Sequence, residues 1–292
     1  MTKFLSAGIA AVTLLTIATP AIAQDAGEPG TSADVYEDTV FDGDYLTIGL
    51  GAGYGPSYSG SDDYVFFPLP LVQGSLGGVD FDPRPGGIAF DFIPDRRGAR
   101  TSFALGVAAK LNRDRVSNID DPLVTALGEL DTAIEVGPTA GVSFAKVLNP
   151  YDSLSFSTDV LWDVAGAHNG MTVSPGVSYF TPLSRGMAGS ISVGATFVDD
   201  DYADYYYTVT PVQTLTTGGA LPAYQADGGL EKAGVNLLFG YDLDGDLTNG
   251  GFAIFALGGY SRLFGDAKRS PLTSVAGDAD QWLGGIGVGY TF

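Results

Sequence analysis

Beyond residue 44, large apolar residues alternate with small or polar ones in one segment after another. In residues 281–292, Trp282, Ile286, Val288, Tyr290 and Phe292 share one parity with Gly284, while Leu283, Gly285, Gly287, Gly289 and Thr291 share the other. A period of two describes a strand with two unlike faces. Residues 45–54 repeat it, with Leu46, Ile48, Leu50, Ala52 and Tyr54 opposite Thr47, Gly49, Gly51 and Gly53. Residues 101–111, 134–144, 153–163, 171–179, 190–197 and 230–243 follow the same rule. Residues 64–73 are apolar on both parities and carry Pro68 and Pro70, which predicts a bulged or short strand. Residues 252–263 are also apolar on both parities, so their facing stays open. Residues 78–82 and 88–93 form a short pair around Pro83-Arg84-Pro85-Gly86-Gly87.

These segments predict about twelve strands, an even number, as single-chain bacterial barrels have. The expected fold is all-β, a transmembrane antiparallel up-and-down β-barrel over residues 45–292. Its oily rows face lipid and its small or polar rows face the lumen. The connections at 149–150, 182–186 and 244–250 are short, and those at 113–130, 199–228 and 265–279 are long. With both ends in the periplasm, nearly every short link falls inside and every long one outside. Trp162 and Trp282 then belong to an outer aromatic girdle, Tyr290 and Phe292 to a periplasmic one.

Composition narrows the class. Charged residues make up 16% of the chain, below the roughly 25% of an average soluble protein. The absence of cysteine removes disulfides and thiolate metal sites. A net charge of −20 argues against a nucleic-acid partner. Lys3, the apolar run 4–18 and Ala21-Ile22-Ala23 predict a signal peptide over residues 1–23, cleaved after Ala23. Residues 24–44 are acidic and lack apolar periodicity, as expected of a flexible periplasmic lead. Together these place the protein in the outer membrane, in contact with its lipid and lipopolysaccharide.

Candidate chemistry is sparse, and no cofactor or metal set is predicted. His168, the single histidine, falls in an outer loop and reads as solvated; an acid–histidine pair with Asp163 is the catalytic alternative. Asp242, Asp244 and Asp246 have the spacing of a calcium loop, but Leu247 stands where its glycine belongs and Ala253 where its last acid belongs, so a hairpin turn is expected. The patch of Asp199, Asp200, Asp201 and Asp204 with Tyr202, Tyr205, Tyr206 and Tyr207 either binds cations or buries its tyrosines against the barrel rim. Lys110, Glu135, Asp159, Asp163 and Lys232 share the lumen parity, and Arg262 is a candidate to join them. Charges there form either a plug of ion pairs or a selective channel.

Residues 47–73 contain Gly55, Pro56, Tyr58, Gly60, Ser61, Asp62, Asp63 and Tyr64 as G-P-x-Y-x-G-S-D-D-Y, then Pro68 and Pro70 in a P-L-P strand. With DDDYADYYYTV, LPAYQADGGL, YSRLFGDAKRSPL and the final GVGYTF, this resembles the MipA/OmpV family across nearly the whole mature chain. One departure is Tyr206-Tyr207-Thr208-Val209-Thr210, where the family reads Y-F-G-V-S. The resemblance implies a non-enzymatic outer-membrane barrel, inserted by the barrel-assembly machinery. It also implies a scaffold role for a murein transglycosylase and a murein synthase, with no catalytic residue to carry over. A narrow channel for small solutes and a lipid-modifying barrel enzyme are the alternatives.

Overall fold

The computed structural model describes residues 39–95 and 98–292; the expected signal peptide and residues 24–38 of the lead lie outside them. The twelve strands are β1 (Tyr45–Pro56), β2 (Tyr64–Leu76), β3 (Val79–Arg84), β4 (Gly87–Asp91), β5 (Thr101–Asn112), β6 (Ala133–Ala145), β7 (Ser153–Asp163), β8 (Met171–Ser184), β9 (Met187–Val198), β10 (Gly229–Asp242), β11 (Gly251–Leu263) and β12 (Asp280–Thr291). Each pairs with its neighbour in sequence, and β12 returns to β1, closing an antiparallel barrel. Where the strands pair along their length, closure satisfies the ladder without water, which is what hydrocarbon demands. The alternation is obeyed: Leu50, Phe103 and Trp282 are 66%, 62% and 62% exposed on the outer face. Such rows stand bare only against lipid.

β1 and β12 meet through rows of glycine. Gly49, Gly51 and Gly53 oppose Gly289, Gly287 and Gly285. A Cβ on Gly51 would collide with the backbone of β12, so the approach requires glycine. Thr47 and Thr291 share a hydroxyl hydrogen bond of 2.8 Å beside this row.

The expectation that Pro68 and Pro70 shorten or bulge their strand is not met. β2 pairs with β1 without a break from Pro56↔Tyr64 to Tyr45↔Ser75. The explanation is the edge that each amide faces. The Phe292 N–H donates to the Leu46 carbonyl at 2.9 Å, so even-numbered β1 residues bond to β12 and odd-numbered ones to β2. By the register, odd-numbered β2 residues bond to β1. Pro68 and Pro70 therefore face the opposite edge, where their missing N–H breaks no ladder. There β2 meets β3 through Gly74↔Phe81, Ser75↔Asp80 and Leu76↔Val79 alone. The β3–β4 hairpin turns at Arg84–Gly87 and pairs onward with β5. Among the described residues, 64–72 have no strand partner on that side.

The long outer connections carry α1 (Pro122–Thr125), α2 (Asp200–Tyr207), α3 (Pro211–Thr216), α4 (Gly265–Arg269) and α5 (Pro271–Ser274). Pro122, Pro211 and Pro271 each follow a capping side chain, Asp121, Thr210 and Ser270. That is the arrangement in which proline's lost N–H costs nothing. These segments bury Tyr202, Tyr206, Tyr207 and Leu263 in one cluster and Tyr58, Val124, Leu221 and Leu272 in another. Among the described residues, the larger buried apolar clusters thus belong to the outer cap, not the wall.

At the other rim, the described end of the acidic lead, residues 39–44, packs against the barrel. Val40 N–H donates to the Thr248 carbonyl at 2.8 Å, and Phe41 packs edge-on against Tyr45 with ring centroids 5.0 Å apart.

Candidate functional site: a closed outer lumen and an open periplasmic one

The outer lumen is built around two buried carboxylates. Glu135 on β6 sits opposite Lys110 on β5 and is 0% exposed. Lys110 Nζ lies 3.2 Å from Glu135 Oε2, and Asn112 Nδ2 donates to Oε1 at 2.9 Å. A carboxylate this deep is tolerable only with such partners. The second is Glu231, which the alternation missed. A register shift between Leu230 and Lys232 on β10 breaks the parity, so Glu231 and Lys232 both serve the interior. Glu231 Oε1 accepts from Tyr207 Oη at 2.7 Å and Tyr202 Oη at 3.3 Å, and Lys232 Nζ is 3.7 Å from Oε2.

His168 is not the solvated loop residue expected from sequence. It is 3% exposed, with its ring centroid 4.9 Å from that of Tyr202 and 5.6 Å from that of Tyr206. Its Nδ1 accepts the Gly170 N–H at 3.0 Å, which assigns the proton to Nε2, and Nε2 faces Glu135 Oε1 at 3.6 Å. A neutral imidazole has one lone pair for accepting a proton, and a backbone amide occupies it. Asp163 does not pair with the ring; its carboxylate holds the N–H groups of Ala165, His168 and Asn169 at 2.9, 2.8 and 3.1 Å.

The Tyr-rich patch forms α2 and turns Tyr202, Tyr206 and Tyr207 inward. Burial pushes their hydroxyls up from the ordinary tyrosine range. Below α2, a cavity of about 240 Å³ is lined by Tyr58, Lys110, Asp114, Tyr202 and Lys232. Burial raises the Asp114 carboxyl, an effect the Ser59 N–H opposes from 3.1 Å. Lys110, Lys232 and the buried Arg115, whose Nη1 donates to the Tyr206 carbonyl at 3.2 Å, offset Glu135, Glu231 and Asp114 in charge.

Lower in the lumen, Asp159 on β7 takes its cation from the short hairpin. Arg84 Nε lies 3.0 Å from Asp159 Oδ2, and Thr139 Oγ1 donates to Oδ1 at 2.5 Å. Arg262 does not join the lumen charges. Phe255 is 8% exposed and Phe252 56%, so even-numbered β11 residues face outward and Arg262 with them. It pairs with Asp280 at 3.3 Å near the outer rim.

The periplasmic half is open. A cavity of about 920 Å³ has Leu71, Phe180, Leu238 and Phe255 among its apolar walls and Asp80 and Asp82 among its acids. The turns beneath it are tied to one another. Arg185 Nη2 lies 2.8 Å from Asp246 Oδ2, and the Asp242 carboxylate accepts from the Asp244 and Gly245 N–H groups at 2.9 and 3.0 Å. Asp152 accepts from Val147, Leu148 and Asn149 N–H and from Tyr179 Oη. Burial would raise its carboxyl, but these donors outweigh burial and hold it below the usual range.

The motif at residues 55–70 has a structural task. Gly55 and Pro56 end β1. Tyr58 Oη donates to the Ala276 and Leu272 carbonyls at 2.8 and 3.3 Å. Gly60 has φ +99° and lies against Thr273. Its N–H donates to Gln281 Oε1 at 3.3 Å, and Gln281 Nε2 donates to the Ser61 carbonyl at 3.0 Å. Ser61 Oγ accepts the Asp63 N–H at 3.0 Å, and Tyr64 Oη accepts that of Trp282 at 3.0 Å; Asp62 stays exposed. The motif fastens the first outer turn to β12 and to the loop before it. Of the aromatic residues, Trp162 and Trp282 lie on the outer face near the outer strand ends, Trp282 against Tyr260. Tyr290 packs edge-on between Phe252 and Phe292 at the other end.

The family model described as MltA-interacting protein MipA matches residues 48–292. No curated protein matches the chain. Among solved structures, an outer-membrane channel from Pseudomonas putida F1 is similar at 12% identity, covering 91% of this chain and 100% of that one, with a TM-score of 0.46. An anion-selective porin from Comamonas acidovorans is similar at 9% identity, with 85% and 98% coverage and a TM-score of 0.37. OmpT of Vibrio cholerae gives 9%, 85% and 97%, and 0.34.

Proposed function

Since the chain belongs to the MipA family and is an outer-membrane barrel, we propose that it is a non-enzymatic envelope scaffold that works from its periplasmic side. The description of the family model as an MltA-interacting protein supports reading its partner as a murein transglycosylase. The observation that carries this reading is the closed outer lumen: Glu135 and Glu231 are buried among lysine, tyrosine and asparagine partners beneath the folded outer loops. A barrel sealed on its outer side and open on the other offers its accessible surface to the periplasm. The burial of His168, with its Nδ1 taken by the Gly170 N–H, supports a non-enzymatic role.

Two measurements test the reading. In planar bilayers the purified protein gives no steady, discrete conductance; such steps would favour a solute channel and overturn the closed barrel. Affinity capture from detergent-solubilised envelopes compares the full chain with one lacking residues 24–44. Murein enzymes are expected with the full chain alone, and their absence from both captures would overturn the scaffold.

A further inference from the structure

Two large side chains on the lumen face have no packing task. Phe67 of β2 lies over Gly53, and Phe255 of β11 over Gly287, which leaves Phe255 8% exposed. Phe180 of β8 and Leu238 of β10 behave otherwise. Both pair with Ser190 of β9 and so flank it on the lumen face. They stay 41% and 48% exposed and line the open periplasmic cavity. Their neighbours on that face are small or polar, among them Ser178, Ser192, Asn236 and Gly240. Apolar groups grouped on an accessible surface mark a place where something docks.

The facing wall is acidic. β3 lies half-way round the ring from β9, and its Asp80 and Asp82 line the same cavity, together with Asp44, Asp91 and Asp95. No lysine or arginine does so among the described residues. Asp44 accepts the Gly77 N–H at 2.9 Å, and Asp91 accepts those of Ile93 and Leu105 at 2.9 and 2.8 Å. Asp80 and Asp82 take part in no hydrogen bond or ion pair among the described residues. Arg84, the base beside them in the chain, is taken by Asp159 at 3.0 Å. Carboxylates along one side of a confined space draw cations into it.

The cavity is thus two-sided, apolar at β8 and β10 and anionic at β3. Its volume of about 920 Å³ is at the upper end of the roughly 300–1,000 Å³ of binding pockets, which gives room for a short length of chain. Phe41, Gly43 and Leu247, from the lead and the β10–β11 turn, line it as well, so it is entered from the periplasm. The chain's own lead does not suit it: residues 24–38 carry Asp25, Glu28, Asp34, Glu37 and Asp38 and no base. The complementary occupant is positive on one side and apolar on the other.

We infer that this vestibule is the docking site for a basic, apolar peptide segment of a periplasmic partner, its cations against Asp80 and Asp82 and its apolar side chains against Phe180 and Leu238. The inference rests on the scaffold reading and names the chemistry that the partner offers.

Titrating a fluorescent octapeptide of alternating lysine and leucine into the full chain in phosphatidylcholine nanodiscs, with empty discs as reference, tests the site. Binding should be saturable. Asp80→Asn/Asp82→Asn and, separately, Phe180→Ser/Leu238→Ser should each weaken it about tenfold. The folded position in the gel shift shows that each variant has closed; where a pair fails to close, Asp80→Asn or Leu238→Ala alone is read the same way. No saturable binding above empty discs, or unchanged affinity in either variant pair, would overturn the site. Displacement of the peptide by an equal concentration of spermidine, a polycation without apolar side chains, would overturn it too. Capture from envelopes separates this site from the scaffold reading. Murein enzymes held equally by wild type and both variant pairs would overturn the site and leave the scaffold. Peptide binding without any capture by wild type would overturn the scaffold and leave the site.

Discussion

The two halves of the lumen are made from the same strands and the same alternation, yet one is packed and the other is hollow. In the outer half, loops of 113–132, 199–228 and 264–279 fold inward and bring tyrosines and carboxylates with them. In the periplasmic half the turns are short and tied to one another, and nothing among the described residues fills the space above them. Strands make a pipe; which end is stoppered depends on the length and chemistry of the connections.

The contrast makes ranked predictions. The largest effect should come from Glu135→Ala, which strands the Lys110 ammonium and the Asn112 amide in the buried outer network. A loss of about 3–5 kcal/mol is expected for breaking a buried pair from one side, read as a lower urea midpoint in the folded-to-unfolded gel shift. A midpoint within error of wild type would show that the outer network is not holding the barrel. Next, Leu221→Ala, at 0% exposure in the cap, should cost about 2–4 kcal/mol. Leu238→Ala, at 48% exposure in the open half, should stay within about 0.5 kcal/mol. Equal losses would erase the distinction between the two halves.

Acid should act on the two ends in opposite senses. Burial raises the Asp114 carboxyl under the cap. Its charged form therefore opposes folding at neutral pH, and that opposition is relieved as pH falls through the raised value. Asp246 behaves conversely: bonds from Arg185 and Thr248 hold it at about 2. Its contribution is full above the ordinary aspartate value near ~3.9 and is lost as pH falls toward its folded value. Amide exchange should thus show the outer loops unloosened between pH 7 and 5 and the turns around Asp246 opening first below pH 4. The reverse order would refute the assignment. Smallest of all, Arg185→Ala removes an exposed ion pair and should leave the neutral-pH midpoint unchanged, with an effect confined to the acid response of that turn.

Much of this architecture was legible in the sequence because a two-sided wall writes itself as alternation. The residues Lys110 and Glu135 were readable as lumen groups for that reason, and their opposition across β5 and β6 follows from the register. What alternation cannot carry is a change of phase. Glu231 reads as a lipid-facing residue until the shift at Leu230/Lys232 turns it inward. Arg262 lies on a strand that is oily on both parities, so its side was settled only by pairing with β12. Pro68 and Pro70 misled for a related reason. Sequence shows a missing amide but not the edge it would have faced, and here the edge was empty. The burial of His168 was hidden because its loop folds back over the mouth, a tertiary event with no local signature.

The glycine rows that join the first and last strands have a consequence for how the barrel shuts. Rows without side chains slide past each other with little to mark the correct stop, because a slip of two positions meets another glycine. The stops are on the lipid side, where Ile48 meets Tyr290 and Leu50 meets Val288, at the hydroxyl contact of Thr47 with Thr291, and in the lumen, where Phe67 of β2 lies against Gly53 and Phe255 of β11 against Gly287. The seam is thus aligned from both faces, by side chains that its own glycines make room for.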